Sequence, residues 1–477
     1  MRTYSPIPAI FPVLAILPAL ALAACATRPA DTALPAAYES AGAAAPAGAI
    51  DLDTWWTVYG DPELTTLVEQ ALARNPDVRT ARARLDEVRA QRVSAVLQYL
   101  PRGDATASAR RTDTDQISGT VANIPGFSTS GVSKQAGADF NVSWEVDPFG
   151  RGFLAYAAAS AEVDRVRFAY EATRAQIAAA TVDAWHQARG LAIQLADARE
   201  TARIQQELYD MAAKRAAIGL AAGSEPDRIA GELAQARAQA EALEAELQIQ
   251  KRALLILAGR IVEPTANLAA PPQVGEAPAV PQALPSDLLQ RRPDVRQAQA
   301  AVRSAADQKK LAVLDFFPTF VLSPGIGWTR VEQPGFTSET RNWSIGGSIT
   351  QPILSIPSRM ADLKAQNART EQAVIAYEKT VQTAFQEAEA ALVGLDADRR
   401  RVALLIEGEA RARRAYEASR TGYTRGLTDL STTLSAEQAW RAVRTQLAAA
   451  QVQALRRSVQ AYKALGGGWS AQAYAAR

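Results

Sequence analysis

The chain has 477 residues, with 52 Lys and Arg against 50 Asp and Glu, one His and one Cys, for a formal net charge of +2. That balance, without basic clusters, leaves no electrostatic footprint for nucleic acid, and a lone cysteine excludes an intramolecular disulfide. No nucleophile–base pair, phosphate loop or metal cluster stands out, so an enzyme is not expected.

The chain opens with Arg2 and an apolar run from Ile7 to Ala24 that ends Leu22-Ala23-Ala24-Cys25. A charged start, a short apolar stretch and small residues before the cut are a secretory signal over residues 1–24. Residues 25–50, rich in Ala and Pro, read as an extended tether without a core. No later segment has the ~20 consecutive apolar residues of a membrane-spanning helix, so any crossing must use strands.

From Asn75 the chain begins to say the same thing twice. Asn75-Pro76-Asp77-Val78-Arg79 recurs as Arg292-Pro293-Asp294-Val295-Arg296, and the match runs ungapped to Pro101 and Pro318, with Ala95-Val96-Leu97 repeated as Ala312-Val313-Leu314. Ala169-Tyr170-Glu171 and Ala376-Tyr377-Glu378 continue the repeat, as do Tyr209, Gly219 and Leu220 with Tyr416, Gly426 and Leu427. A unit of roughly two hundred residues is too long for a solenoid repeat of ~20 to 50. The chain therefore divides into a first repeat, 51–282, and a second, 283–477.

Within the first repeat, Ala138, Phe140, Val142, Trp144 and Val146 alternate with Asp139, Asn141, Ser143 and Glu145, and a weaker alternation of alanines runs from Asp104 to Arg110. This period of two predicts a β-hairpin at about 102–147. No proline lies between Gly152 and Glu225, and Pro226 stands in the first turn of a following helix with Ser224 as its expected N-cap. A long helical hairpin over about 150–259 results. The alanine-rich stripe Leu233, Ala236, Ala240, Leu243 and Leu247 predicts coiled-coil packing with close backbones.

The second repeat is expected to follow suit, with a helix at about 285–317, a β-hairpin at about 318–353 and a helical hairpin at about 357–466 that turns between Gly422 and Gly426. Phe320, Leu322, Pro324, Ile326 and Trp328 alternate with small and polar residues, as do Trp343, Ile345 and Ile349. In a membrane barrel the apolar face meets lipid and the polar face lines a lumen. Four strands cannot close a barrel, since the smallest membrane barrels use about eight, so the chain must oligomerise, with three copies giving twelve strands. The competing reading is a lipid-anchored coiled-coil rod without a pore.

Trp55-Trp56…Tyr59-Gly60-Asp61-Pro62-Glu63-Leu64, the run Leu284-Pro285-Ser286-Asp287-Leu288-Leu289-Gln290-Arg291-Arg292-Pro293-Asp294-Val295, and Gly219-Leu220 with Asp227 resemble outer-membrane efflux proteins, more narrowly the NodT-type outer-membrane lipoproteins, which are TolC-like ducts of tripartite pumps. The resemblance implies an α+β membrane protein: a homotrimer with a shared twelve-stranded outer-membrane barrel and a periplasmic tunnel of helical hairpins. It implies passive conduction of drugs or other small organic solutes, loaded by an inner-membrane resistance-nodulation-division pump through a periplasmic adaptor. A duct for protein or peptide secretion would use the same architecture.

Leu-Ala-Ala-Cys also resembles the lipobox of bacterial lipoproteins, which implies diacylglycerol and an N-acyl chain on Cys25 and an anchor in outer-membrane lipid; no other cofactor is expected. Several acyl chains, at about 0.8 kcal/mol per buried methylene, hold durably. The resemblance further implies a gate at the hairpin turns, 218–227 and 422–429. There Tyr423 would bond to Ser224 and Glu225, with Arg425 and Asp429 as ion-pair candidates. Thr432 and Ser435 stand where some relatives carry a ring of acids. For Glu225 and Asp227 the plain alternative is first-turn stabilisation by the helix dipole, about 0.3 to 1 kcal/mol. His186, mid-helix and without Cys or His neighbours, reads as a packed or exposed helix residue and not as a metal ligand. Three methionines, at 1, 211 and 360, offer no relay for a soft metal ion.

Overall fold

A computed structural model of the protein describes residues 29–39, 44–45, 51–115, 117–118, 130–219, 222–281 and 285–470. The signal segment, Cys25 and part of the segment joining the first two long strands lie outside the described residues. In chain order the elements are β1 (Ala44–Ala45), α1 (Pro62–Arg74), α2 (Pro76–Leu97), β2 (Arg102–Thr114), β3 (Gly131–Val146), α3 (Arg151–Ala217), α4 (Ser224–Leu257), β4 (Val280–Pro281), α5 (Leu288–Arg291), α6 (Pro293–Leu314), β5 (Thr319–Gln333), β6 (Phe336–Thr350), α7 (Ile356–Thr424) and α8 (Leu430–Ala464). No described helix is long and apolar enough to cross a membrane.

Packing divides the chain differently from the repeat. One compact unit takes residues 86–165 and 299–376, the other 31–85, 166–298 and 377 onward. Each unit is thus assembled from matching pieces of both repeats, and the boundary near 283 is one of sequence and not of packing.

The first unit is built on a four-stranded antiparallel sheet in the order β2-β3-β5-β6. The two hairpins, one from each repeat, join through β3 and β5, where Phe140 pairs with Ile326 and Trp144 with Leu322. Because side chains alternate across a strand, the register puts Phe140, Trp144, Val146, Phe320, Leu322, Ile326, Trp328, Trp343, Ile345 and Ile349 on one face. The other carries Asp104, Thr106, Asp139, Asn141, Asn342 and Ser344 around Gly325 and Gly327. Gly327 leaves room for its neighbours there, since a Cβ would stand 2.4 Å from Asp139 Oδ1 and push that side chain aside. The apolar face is left bare: Trp343 is 77% exposed and Ile349 69%.

The strands are tied to the helices at one end. Asp147 accepts from the backbone N–H groups of Arg151 (2.8 Å) and Gly152 (2.7 Å), capping α3, while Arg151 Nη2 donates to the carbonyls of Leu314 (2.6 Å) and Phe317 (3.1 Å). Trp144 Nε1 donates to the Tyr99 carbonyl at 3.1 Å. The free end of the β5–β6 hairpin is a turn at Gly335, with φ +81°.

The second unit holds a core around the Trp55-Trp56 motif. Trp55 is fully buried and stacks on Tyr462 at 5.2 Å. Asp61 caps α1 through Oδ1, accepting from Glu63 and Leu64 N–H at 3.1 Å, and its Oδ2 accepts from Trp185 Nε1 (2.9 Å) and Arg189 Nη1 (2.8 Å). One carboxylate therefore starts a helix and fastens it to α3. In the second repeat, buried Arg292 ends α5 and binds Asp294 Oδ2 (2.6 Å), Glu387 Oε2 (2.7 Å) and the Ala464 carbonyl (3.3 Å). The single helix expected over 285–317 is broken there, because Pro293 cannot continue α5.

Long hairpins complete the unit. Residues 166–217 of α3 and 377–424 of α7 belong to it, and at 1.5 Å per residue these stretches are about 78 and about 72 Å long. Leu233, Ala236, Ala240 and Leu247 of α4 are buried, as the stripe predicts. The expected N-cap is corrected: Gly223 precedes α4 and makes no side-chain cap bond, while Ser224 is already helical. The bare tether is corrected too. Asp31 N–H donates to Glu378 Oε1 at 2.8 Å, Glu39 N–H to Glu389 Oε1 at 3.0 Å, Tyr38 stacks on Phe385, and Ala44 and Ala45 pair in parallel with Val280 and Pro281.

His186 is buried against the Tyr59 ring at 4.8 Å, with neither ring nitrogen hydrogen-bonded. Burial, with the Arg189 charge, lowers its pKa to about 4. The folded chain thus holds His186 neutral where the unfolded chain would protonate it, and stability falls as pH drops from about 6.5 towards 4. We expect His186→Phe to remove up to about 3 kcal/mol of this acid loss, read as a flatter pH dependence of the thermal midpoint. Asp61→Ala should cost about 2 to 4 kcal/mol, since it strips a cap and strands the Trp185 and Arg189 donors. A thermal melt followed by helical circular dichroism checks both.

Candidate channel gate

The two hairpin turns are built by residues that can leave a helix. Gly219 follows α3 with φ +79° and Gly426 follows α7 with φ +73°, left-handed values that favour glycine. After the second turn Asp429 caps α8, accepting from Thr432 N–H at 2.8 Å and from Thr432 Oγ1 at 2.9 Å. Those bonds hold its carboxyl below the usual range. Asp429 is therefore engaged as a cap and enters no ion pair with the described residues of its own chain.

Tyr423 is buried among Leu208, Ala212, Ile229, Leu430 and Leu434, under the Arg215 guanidinium 4.8 Å from its ring centre. Its hydroxyl is buried with no hydrogen-bond partner. The bonds expected from Tyr423 to Ser224 and Glu225 are thus not made within this chain. Ser224 and Arg425 are exposed, and Glu225 is half-buried in the first turn of α4, where an acid suits the helix dipole. Thr432 and Ser435 are exposed on α8.

A second cluster, absent from the sequence reading, lies farther along the same helices. Glu437 of α8 is fully buried; Gln205 Nε2 donates to its Oε2 at 3.0 Å and to Glu232 Oε2 at 3.2 Å, so one amide joins α3, α4 and α8. Arg441 Nε is 3.0 Å from Glu437 Oε1, without hydrogen-bond alignment. Beside it Trp440 stacks on Tyr416 at 5.2 Å and donates to Glu409 Oε1 at 2.8 Å, and Arg444 pairs with Asp197 at 2.7 Å. A polar cavity of about 710 Å³ opens here, lined by Asp197, Thr201, Glu232, Arg441 and Arg444. Its signal in the sequence is a carboxylate on an apolar stripe, Leu430, Thr433, Leu434, Glu437 and Trp440. Among the described residues no group of His, Cys, Asp and Glu is placed to hold a metal ion.

Burial pushes Glu437 up to about 7, against Arg441, which lowers it, and with Glu232, which raises it. A carboxyl raised by folding favours the packed state when protonated, so its contribution is present at low pH and lost as pH rises towards 7. Glu437→Gln, which cannot titrate, should be about as stable as the parent near pH 4.5. It should gain on the parent by up to about 3 kcal/mol as pH passes 7, read as diverging thermal midpoints.

The chain has clear relatives. A family model described as outer membrane efflux protein matches residues 67–260 and 284–467. The pyoverdine export outer membrane protein OpmQ of Pseudomonas aeruginosa is 28% identical over 434 residues, 90% of each chain. Nodulation protein T of Rhizobium leguminosarum bv. trifolii is 26% identical, covering 88% of this chain and 89% of that protein. The solved outer-membrane channel OprN superposes with a TM-score of 0.79 at 27% identity, over 93% of this chain and 99% of that one.

Proposed function

Since this chain belongs to the outer membrane efflux protein family, whose members are channels and not enzymes, we propose that three copies form one passive duct, each lending four strands to a twelve-stranded outer-membrane barrel. The observation that carries this reading is the sheet: a bare apolar face, a polar face around Gly325 and Gly327, and two unpaired edges, β2 and β6. An exposed edge invites another strand, and a barrel removes edges altogether. The helical hairpins, with alanine stripes that let backbones approach, then line a periplasmic tunnel.

The cargo is drugs or other small organic solutes, in keeping with a relative whose name assigns it pyoverdine export and another named an antibiotic efflux pump component. The duct supplies a path and no driving force, so an inner-membrane resistance-nodulation-division pump and a periplasmic adaptor complete the system and select the solute. Cys25, acylated after removal of residues 1–24, anchors each chain in the outer membrane. The docking of residues 31–39 on α7 keeps the chain following the anchor close to the body. Tyr423, Glu225 and Ser224 at the turns remain the proposed gate, through contacts between copies, with Arg425 exposed at the same turn and Asp429 as its cap.

Cells lacking the chain should accumulate dyes and antibiotics, and complementation should reverse it. Unchanged accumulation across the panel, with altered secreted proteins, would favour a secretion duct. Cys25→Ser should abolish acyl labelling; persistent labelling would contradict the anchor.

A further inference from the structure

On the bare face of the sheet, the apolar rows run along β5 from Phe320 to Trp328, eight steps or about 26 Å of strand at ~3.3 Å each. With a strand tilt of ~40° that spans about 20 Å of height, close to the ~25 Å apolar band of outer-membrane barrels. The band ends sharply. Trp328 is level with Arg341, the next row on the same face holds Arg330 and Glu339, and the next holds Arg111, Lys134 and Glu332. An aromatic followed by charge marks the water interface of a membrane. The charged rows lie towards the hairpin turns, away from the strand ends that lead into helices, and so on the external side.

These charges fall into two groups. Arg330 is committed, donating to Glu332 Oε1 at 2.9 and 2.6 Å and to Glu339 Oε1 at 3.1 Å, and Lys134 lies 3.9 Å from Glu332. Arg111 and Arg341 are exposed and make no ion pair with the described residues, although Asp113 is two positions from Arg111 on the same face. Arg111 is on edge strand β2 and Arg341 on edge strand β6. Closure of the barrel, on which this inference rests, sets β6 of one copy beside β2 of the next. Each of the three seams is then flanked by two uncommitted guanidinium groups on the lipid-facing side, Arg341 in the Trp328 row and Arg111 two rows farther towards the turns, about 13 Å along the strand at ~3.3 Å per residue. A guanidinium presents a planar fork that matches phosphate oxygens.

We infer that Arg341 of one copy and Arg111 of its neighbour form a phosphate site on the outer rim of each seam, occupied by the bisphosphorylated lipid A headgroup of the external leaflet. Trp328, level with Arg341, and Trp343, one row beneath it, pack the acyl region of the same lipid. The site clasps the seam between subunits, so its occupant also favours the closed barrel.

The test uses the purified full-length chain in detergent, incubated with bisphosphorylated lipid A or its dephosphorylated form, with bound lipid and chain number read together by native mass spectrometry. The parent should bind the phosphorylated lipid, and Arg111→Gln with Arg341→Gln should weaken that binding by about tenfold or more while three chains are retained. Should the glutamine pair fail to assemble, Arg111→Lys with Arg341→Lys keeps the charge but loses the fork, and should still weaken binding severalfold. Equal binding by an assembled variant, or equal binding of both lipid forms by the parent, overturns the site. A parent that is a single chain overturns the barrel itself, an outcome distinguished by mass before any lipid is added.

Discussion

A four-stranded sheet whose two edges are open and whose apolar face is left uncovered among the described residues is the constraint on which the rest of the molecule depends. The backbone donors and acceptors of β2 and β6 cannot stay unpaired in a lipid environment, where each unmet group costs several kcal/mol. Nor can four strands curl far enough to meet one another. In the proposed duct, copies of the chain would resolve both demands at once, and three copies would reach twelve strands. The internal duplication fits this solution, because two similar hairpins per chain, joined through β3 and β5, give three chains an approximately sixfold set of parts.

What the strands demand of the helices is stiffness at the junctions, and single ionic groups provide it. Asp147 and Arg151 bind the end of β3 to the start of α3 and to the Leu314 and Phe317 carbonyls at and just past the end of α6. In the second unit Asp61 and Arg292 each bind several elements that are distant in sequence. Buried or half-buried ionic groups are costly to leave unpartnered, and these are hydrogen-bonded on several sides, which favours one arrangement of the helices. The glycines after α8 serve the same packing: a Cβ on Gly467 would stand 2.8 Å from the Trp55 ring.

Much of this was legible in the sequence, for physical reasons. A period of two gave the four strands to within a few residues, since one face must be apolar for lipid and the other small and polar. Missing prolines and left-handed glycines marked the long hairpins. The gate was not legible, because a tyrosine's partner depends on how two turns pack, and the Tyr423 hydroxyl meets no acceptor in its own chain. Ser224 looked like a cap by residue type, yet Gly223 occupies the position. Asp429 looked like an ion-pair candidate and is a cap. Glu437 is not legible in the sequence, because a carboxylate on an apolar stripe becomes a buried site only once three helices enclose it. The tether was misjudged because its pairing with Val280 and its bonds to Glu378 and Glu389 join residues more than two hundred positions apart.

The central claim is that the sheet is completed by copies of itself, and the most direct test is the mass of the detergent-solubilised particle by light scattering, corrected for bound detergent. Three chains per particle are predicted, for a polypeptide of 51.0 kDa before any leader is removed. A particle of one chain would contradict the account, because a lone chain would leave β2 and β6 unpaired.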